Sequence, residues 1–144
     1  MTQAMCASFK VELGRALHDF TATTGHAFKI ALYKAAATLG ATTTVYSVTN
    51  EVGDTGSYAA GGLALTNVTP TSSGTTAMIT FGVSPQWTGV TFTDCTQALI
   101  YNTNGGQNRA VAVLDLGGNQ AVTAGTFTIN LPTVTPTTAL LRLL

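Results

Sequence analysis

The stretch QALIYNTNGGQNRAVAVLDLGG, Gln97 to Gly118, restricts the possible folds more than any other part of the chain. In a strand, successive side chains point to opposite faces. One face is expected to carry Ala98 and Ile100 with Val111 and Val113, and the other Leu99 and Tyr101 with Ala110, Ala112 and Leu114. Both faces are therefore apolar, as in strands covered on two sides. Between the arms, NTNGGQN supplies the Asn and Gly residues that tolerate positive φ in a hairpin. The segment predicts two central strands of a core, joined by a hairpin whose tip, Asn102–Asn108, is exposed.

The remaining segments fit around such a core. Met5, Phe9, Leu13, Ala16, Leu17 and Phe20 recur at the spacing of one helix face, which predicts a helix over about 4–19. HAFKIALYK alternates Phe28, Ile30 and Leu32 against Lys29, Ala31 and Tyr33, the period of a half-buried strand. The stretch from Ala35 to Gly62 is rich in Gly and Thr and reads as loop, with one helical turn allowed at Ala35–Leu39. GLALTNVTP, TAMITFGV, VTFTDCTQALIYN, RAVAVLDLGG, GTFTINLP and ALLRLL are then short runs rich in Val, Ile, Thr, Phe or Leu, bounded by Gly, Pro or Asn. Pro70 and Pro132 are read as strand ends. The reading is a single mainly β domain over 1–144: one N-terminal α-helix, then an antiparallel β-sandwich or jelly-roll-like body over about 26–144.

Charge limits what such a body can do. Charged residues are 8% of the 144, against about 25% in ordinary soluble domains, and the formal net charge is zero. From Thr55 onward only Asp94, Arg109, Asp115 and Arg142 carry charge. No basic patch is available for nucleic acid. No apolar run approaches the ~18 residues of a membrane span. Lys10, Glu12, Arg15 and Asp19 interrupt the first segment, which therefore lacks a signal-peptide core and is expected to be made in a cytoplasm. The sequon-like Asn67-Val68-Thr69 then reads as a by-product of abundant threonine. A neutral, threonine-coated exterior protects poorly against association, so it predicts a subunit covered by copies of itself or by a larger body.

Groups for chemistry are scarce. His18 and His26 read as packed or surface residues. Asn50, Glu51 and Asp54 lack the spacing of a calcium loop and read as a solvated turn. No phosphate loop or nucleophile elbow occurs. Asp115 is expected to cap a turn or to pair with Arg109, rather than to form a carboxylate pair with Asp94. Cys6 and Cys95 match no metal or redox spacing and read as buried thiols. No catalytic residue, cofactor or metal is expected. Trp87, Tyr58 or Tyr101 could form an aromatic platform for a glycan, although a core or interface role for Trp87 is favoured.

Several segments together, SFKVELGRALHDF, FKIALYKAAATLGATTTVY, NEVGDTGSYAAGGLALT, WTGVTFTDCTQALIYN, RAVAVLDLGG and GTFTINLPT, resemble a family of small structural proteins of tailed phages. The family's Cys-x-Ser-Phe-Lys-x-Glu-Leu start corresponds to Cys6–Leu13. Leu116 stands where the family usually has an aromatic residue, and Asp54 falls in a loop usually written with Ser, Gly and Thr. The resemblance implies a non-enzymatic virion component, made in the host cytoplasm. Capsid decoration or cement on the major capsid protein is the first expectation. A neck, tail or fibre-base role is the alternative, and glycan binding for host recognition is the third. A homo-oligomer, a trimer or another closed ring, would fit. The expected contacts are Met5, Phe9, Leu13, Leu17, Phe20, Trp87, Asn102, Asn104, Gln107 and Asn108.

Overall fold

The computed structural model describes residues 4–144, so residues 1–3 of the expected domain lie outside the described residues. In chain order the elements are β1 (Ala4–Met5), α1 (Ala7–Gly14), β2 (Phe28–Tyr33), β3 (Leu63–Leu65), β4 (Thr71–Ser73), β5 (Thr76–Ile79), β6 (Gln86–Asn102), β7 (Arg109–Thr128) and β8 (Leu141–Leu143). A single-turn 3-10 helix, Asn104–Gly106, closes the β6–β7 hairpin. Two antiparallel sheets result: five strands in the order β1-β7-β6-β2-β3, and three in the order β4-β5-β8. The chain is mainly β with one short N-terminal helix, as its patterning predicts.

The long β6–β7 ribbon organises everything else. Near the hairpin, Ala98 to Tyr101 and Ala110 to Leu114 are all buried, so both faces are covered as their apolar alternation requires. The register differs from the expected grouping. Leu99 lies opposite Val113 and Ile100 opposite Ala112, and the pairing slips by one between Ile100 and Tyr101. A slip of one residue exchanges faces. Here both faces are apolar, so the exchange exposes nothing.

Different segments cover the two faces. Residues opposite each other across strands share a face. Phe28, Ile30 and Leu32 of β2 therefore share one with Asn102, Ile100 and Ala98 of β6. Against that face lie the N-terminal segment and the stretch just after β5: Phe28 stacks on Phe20 at 4.3 Å and meets Phe81 at 5.7 Å. The other face carries Tyr33, Leu99 and Tyr101, and the long 34–62 loop folds over it, with Tyr46 stacked on Tyr101 at 4.6 Å. The loop sits close to the sheet because Gly62 has φ 75° and no side chain; a Cβ there would collide with the Ile30 carbonyl. One cluster of buried side chains joins both sheets and α1.

Several boundaries need correction. The helix runs over Ala7–Gly14, not 4–19, because residues 4–5 pair with β7 and Ala16 turns to φ 57°. Leu17 and Phe20 extend the apolar stripe in sequence but lie in the coil beyond the helix, from which Phe20 reaches the core and Leu17 stays half-buried. The helical turn allowed at Ala35–Leu39 is instead a tight turn over Lys34–Ala37, closed by the Ala37 amide donating to the Lys34 carbonyl at 3.0 Å, with residues 37–39 in coil. RAVAVLDLGG and the first half of GTFTINLP, predicted as two strands, form one 20-residue strand whose pairing shifts near its glycines, while residues 129–132 lie beyond it. Pro70 does precede a strand, β4, whose Thr71–Ser73 carries no apolar signal. Pro132 lies in the coil beyond β7.

Candidate functional site

Two buried polar clusters flank the core sheet, one on each face. The first gathers around Asn102, the last residue of β6. Its Oδ1 accepts the Asn104 amide at 2.9 Å, which fixes the amide orientation and aims Nδ2 inward. Nδ2 then donates to Nδ1 of His18 and of His26, each at 3.0 Å, with the Leu17 carbonyl at 3.3 Å. An acceptor role at Nδ1 leaves the His18 ring N–H on Nε2. His18 passes that proton toward Glu12 Oε2 at 2.7 Å, and Glu12 Oε1 lies 3.5 Å from Arg109 Nε. The contact with Glu12 favours a charged imidazolium, yet burial pulls the other way and wins: the His18 pKa lies below its usual value. The Asn102 donor fits the same neutral form. The cluster ties α1 and the 18–26 segment to the hairpin.

The second cluster contains all four tyrosines of the chain. Glu51 is 6% exposed. Its Oε1 accepts the Tyr58 hydroxyl at 2.6 Å and the Gly61 amide at 2.7 Å, and its Oε2 accepts the Tyr46 hydroxyl at 2.6 Å. The Tyr58 oxygen in turn accepts the Leu32 amide of β2 at 2.9 Å. Tyr33 donates to the Ser47 carbonyl and Tyr101 to that of Gly61, both at 2.6 Å. Burial first, and the carboxylate second, push the phenol pKa values up, that of Tyr101 to about 12. The arrangement pins the long loop to the sheet. It corrects the reading of Glu51 as part of a solvated turn. Asn50 and Asp54 do not converge on Glu51: Asn50 Nδ2 donates to Ala36 and Asp54 accepts the Ala60 amide.

Other expectations divide. Cys6 and Cys95 are separate buried thiols, as read, and burial pushes them up to about 11 and about 12. Asp115 caps its turn by accepting the Gly117 amide at 2.9 Å, while the partner of Arg109 is Glu12. Asp94 accepts the Ala35 amide and does not meet Asp115. Among the described residues, no three His, Cys, Asp or Glu side chains gather as a metal site requires, and no helix is long and apolar enough to cross a membrane.

The expected contact surface needs the largest correction. Phe9, Phe20, Trp87 and Asn102 are inside the chain, at 0%, 4%, 1% and 1% exposure. Phe9 and Phe20 pack edge to face with each other, and Trp87 packs between Tyr58 and Phe127. Tyr58 and Tyr101 are buried too, so the rings proposed as a glycan platform are not at the surface. Asn104 and Gln107 are exposed at the hairpin tip; Met5, Leu13, Leu17 and Asn108 are half-buried. Met5 lines a groove of about 580 Å³ bounded by Ala112–Leu116 in the first half of β7, the coil that follows β7 and the C-terminal strand. Comparison with protein-family models, with curated proteins and with solved structures finds no match for this chain.

Proposed function

We propose that this chain is a non-enzymatic structural subunit of a tailed-phage virion, and that it decorates the shell by binding the major capsid protein. The observation that carries this reading is the allocation of charge. Glu51 points inward, Glu12 is tied up with Arg109 and His18, and Asp94 and Asp115 cap backbone turns. The distal half of the β6–β7 ribbon exposes Thr88, Thr91, Thr93, Thr123 and Thr126 with hardly any ion among them. Covering an uncharged hydroxyl costs far less than covering a charge, provided that the hydroxyl finds a hydrogen-bond partner. Many copies on a shell multiply such weak contacts through avidity. The motifs shared with small phage structural proteins, from Cys6–Leu13 to RAVAVLDLGG, support the same reading.

Quantitative mass spectrometry of purified particles tests it. Decoration requires a copy number comparable with that of the major capsid protein. A copy number of one small ring would move the subunit to the neck or tail, and absence from particles would overturn the virion role.

A further inference from the structure

The tip of the β6–β7 hairpin sets a carboxamide beside an unprotected backbone nitrogen. Asn104 is the one asparagine of the sequence followed by glycine. Its backbone N–H donates to Asn102 Oδ1 at 2.9 Å, and its carbonyl accepts the Gln107 amide at 3.4 Å. Among the described residues, its side-chain amide and the Gly105 N–H have no hydrogen-bond partner. Asn104 is exposed, and nothing lies within 4 Å of the place a Cβ on Gly105 would take. A side-chain carbonyl and the next backbone nitrogen react within one molecule, so proximity favours them wherever water and hydroxide can enter.

The other asparagines are held or shielded. Asn50, Asn67, Asn102 and Asn119 donate their side-chain amides to the carbonyls of Ala36, His26, Leu17 and Thr93. Asn108 and Asn130 precede Arg109 and Leu131, whose side chains crowd the attacking nitrogen. At Asn104 the attack requires ψ to rotate out of the 3-10 turn. Two hydrogen bonds oppose that rotation: the Gly106 amide to the Thr103 carbonyl at 3.0 Å, and the longer Gln107 bond. Hydrogen-bond geometry in a 3-10 turn is poor, so the restraint is weak.

We propose that Asn104 is a site of spontaneous deamidation in the folded chain, with water as the co-reactant. The Gly105 nitrogen loses its proton to hydroxide and bonds to Cγ of Asn104. The bond from Cγ to the side-chain nitrogen breaks, ammonia leaves, and a succinimide ring closes. Water then opens the ring. Attack at Cγ gives aspartate at position 104; attack at the backbone carbonyl gives isoaspartate, whose main chain is one carbon longer. Either product puts a carboxylate on a tip, Asn102–Asn108, that has no charged side chain. The extra carbon falls inside both turn bonds but beyond the Asn104 N–H. The isoaspartyl form should therefore lose the turn and keep the bond to Asn102. The proposal concerns the isolated chain, not its place in a virion, so either can fail alone.

Ageing the folded full chain at mildly alkaline pH, with peptide mass spectrometry over time, tests it. The expected result is an acid in place of the amide at position 104, formed at least about tenfold faster than at any other asparagine. Isoaspartate should be part of the product, detected by labelling with an isoaspartyl methyltransferase. The rate should lie within about tenfold of that in the urea-unfolded chain, because the tip is barely restrained. Asn104→Gln changes an exposed side chain, so it should fold as the parent does, which a thermal melt checks. It should remove the signal at the tip, since the longer side chain closes a larger ring more slowly. Earlier conversion at another asparagine overturns the proposal. So does aspartate without isoaspartate, or a folded chain that reacts more than about tenfold slower than the unfolded one.

Discussion

Glu51 and Glu12 are two carboxylates drawn in from water on opposite sides of the same sheet, and they are stabilised in different ways. Glu51 has no cation within ion-pair distance among the described residues; two phenols and a backbone amide hold it. Glu12 has Arg109 on one oxygen and a neutral histidine on the other. The first arrangement relies on fixed dipoles aligned in a chain, from the Leu32 amide through the Tyr58 hydroxyl to the carboxylate. The second relies on groups that titrate or are screened. The comparison teaches that the long loop is fastened by a lock indifferent to salt, whereas the N-terminal segment is fastened by one that responds to acid.

The largest effect should come from opening the first lock. Glu51→Ala leaves the Tyr46 and Tyr58 hydroxyls and the Gly61 amide without their acceptor. Each orphaned buried donor costs about 1–3 kcal/mol, and removing one member of such a network costs about 3–5 kcal/mol in all. Urea denaturation followed by tyrosine and tryptophan fluorescence measures it. Glu51→Gln keeps the acceptor for Tyr58 and Gly61 and should recover most of the loss. A cost below about 1 kcal/mol for the alanine variant would show that the carboxylate is not the fastener.

Asn102 is the corresponding point in the second lock. Asn102→Ala removes the donor to both imidazoles and the acceptor for Asn104, with an expected cost of about 2 kcal/mol at pH 7.5. The pH response separates this lock from the first. The folded pKa of His18 lies below its value in the unfolded chain, first because of burial, with the Glu12 contact opposing. The unfolded state therefore binds the proton more readily, and stability falls as pH drops. The contribution is fully present above the unfolded value of 6.5 and is lost from there down to the folded value. Urea midpoints measured from pH 7.5 to pH 5 should decline in the parent, and the decline should be shallower in His18→Gln. Equal slopes would show that His18 is not the sensor.

How much of this was legible in the sequence differs between backbone and side chains. Alternation announced β2, although that strand is covered on both faces rather than half-buried, and a continuous apolar run announced the buried half of β6–β7, because burial on two faces demands apolar residues at every position. The helix was overextended because Leu17 and Phe20 continue the helical stripe of Phe9 and Leu13. Only the three-dimensional path shows that Ala16 breaks the helix and that Phe20 is stacked on Phe28. Trp87 was read as a core or interface ring, and the sheet decides for the core: it lies opposite Phe127 on an inward face with Val90 and Phe92. The Glu51 cluster had a local signal: one acid between Tyr46 and Tyr58 in a charge-poor stretch. The Asn102 cluster had none, since His18 and Asn102 lie 84 residues apart. Local patterns reveal periodicity; they carry no record of which distant polar groups will meet.

The smallest effect should come from Arg109, and its size is the sharpest check on the comparison. The guanidinium lies 3.5 Å from Glu12 Oε1, and the two side chains are 25% and 15% exposed. A pair that water reaches is screened, and such pairs contribute about 0.2–1 kcal/mol. Arg109 is also the first residue of β7, where its backbone pairs with Asn102 whatever its side chain. Arg109→Ala should therefore destabilise the chain by only about 0.5 kcal/mol at low salt, and by less at high salt, where the Debye length shortens to about 3 Å at 1 M. Glu51→Ala should lose the same amount at both salt concentrations. If Arg109→Ala instead costs several kcal/mol regardless of salt, the ion pair behaves as a buried one. The two carboxylates would then be stabilised alike, and the contrast between a salt-indifferent lock and a responsive one would fall.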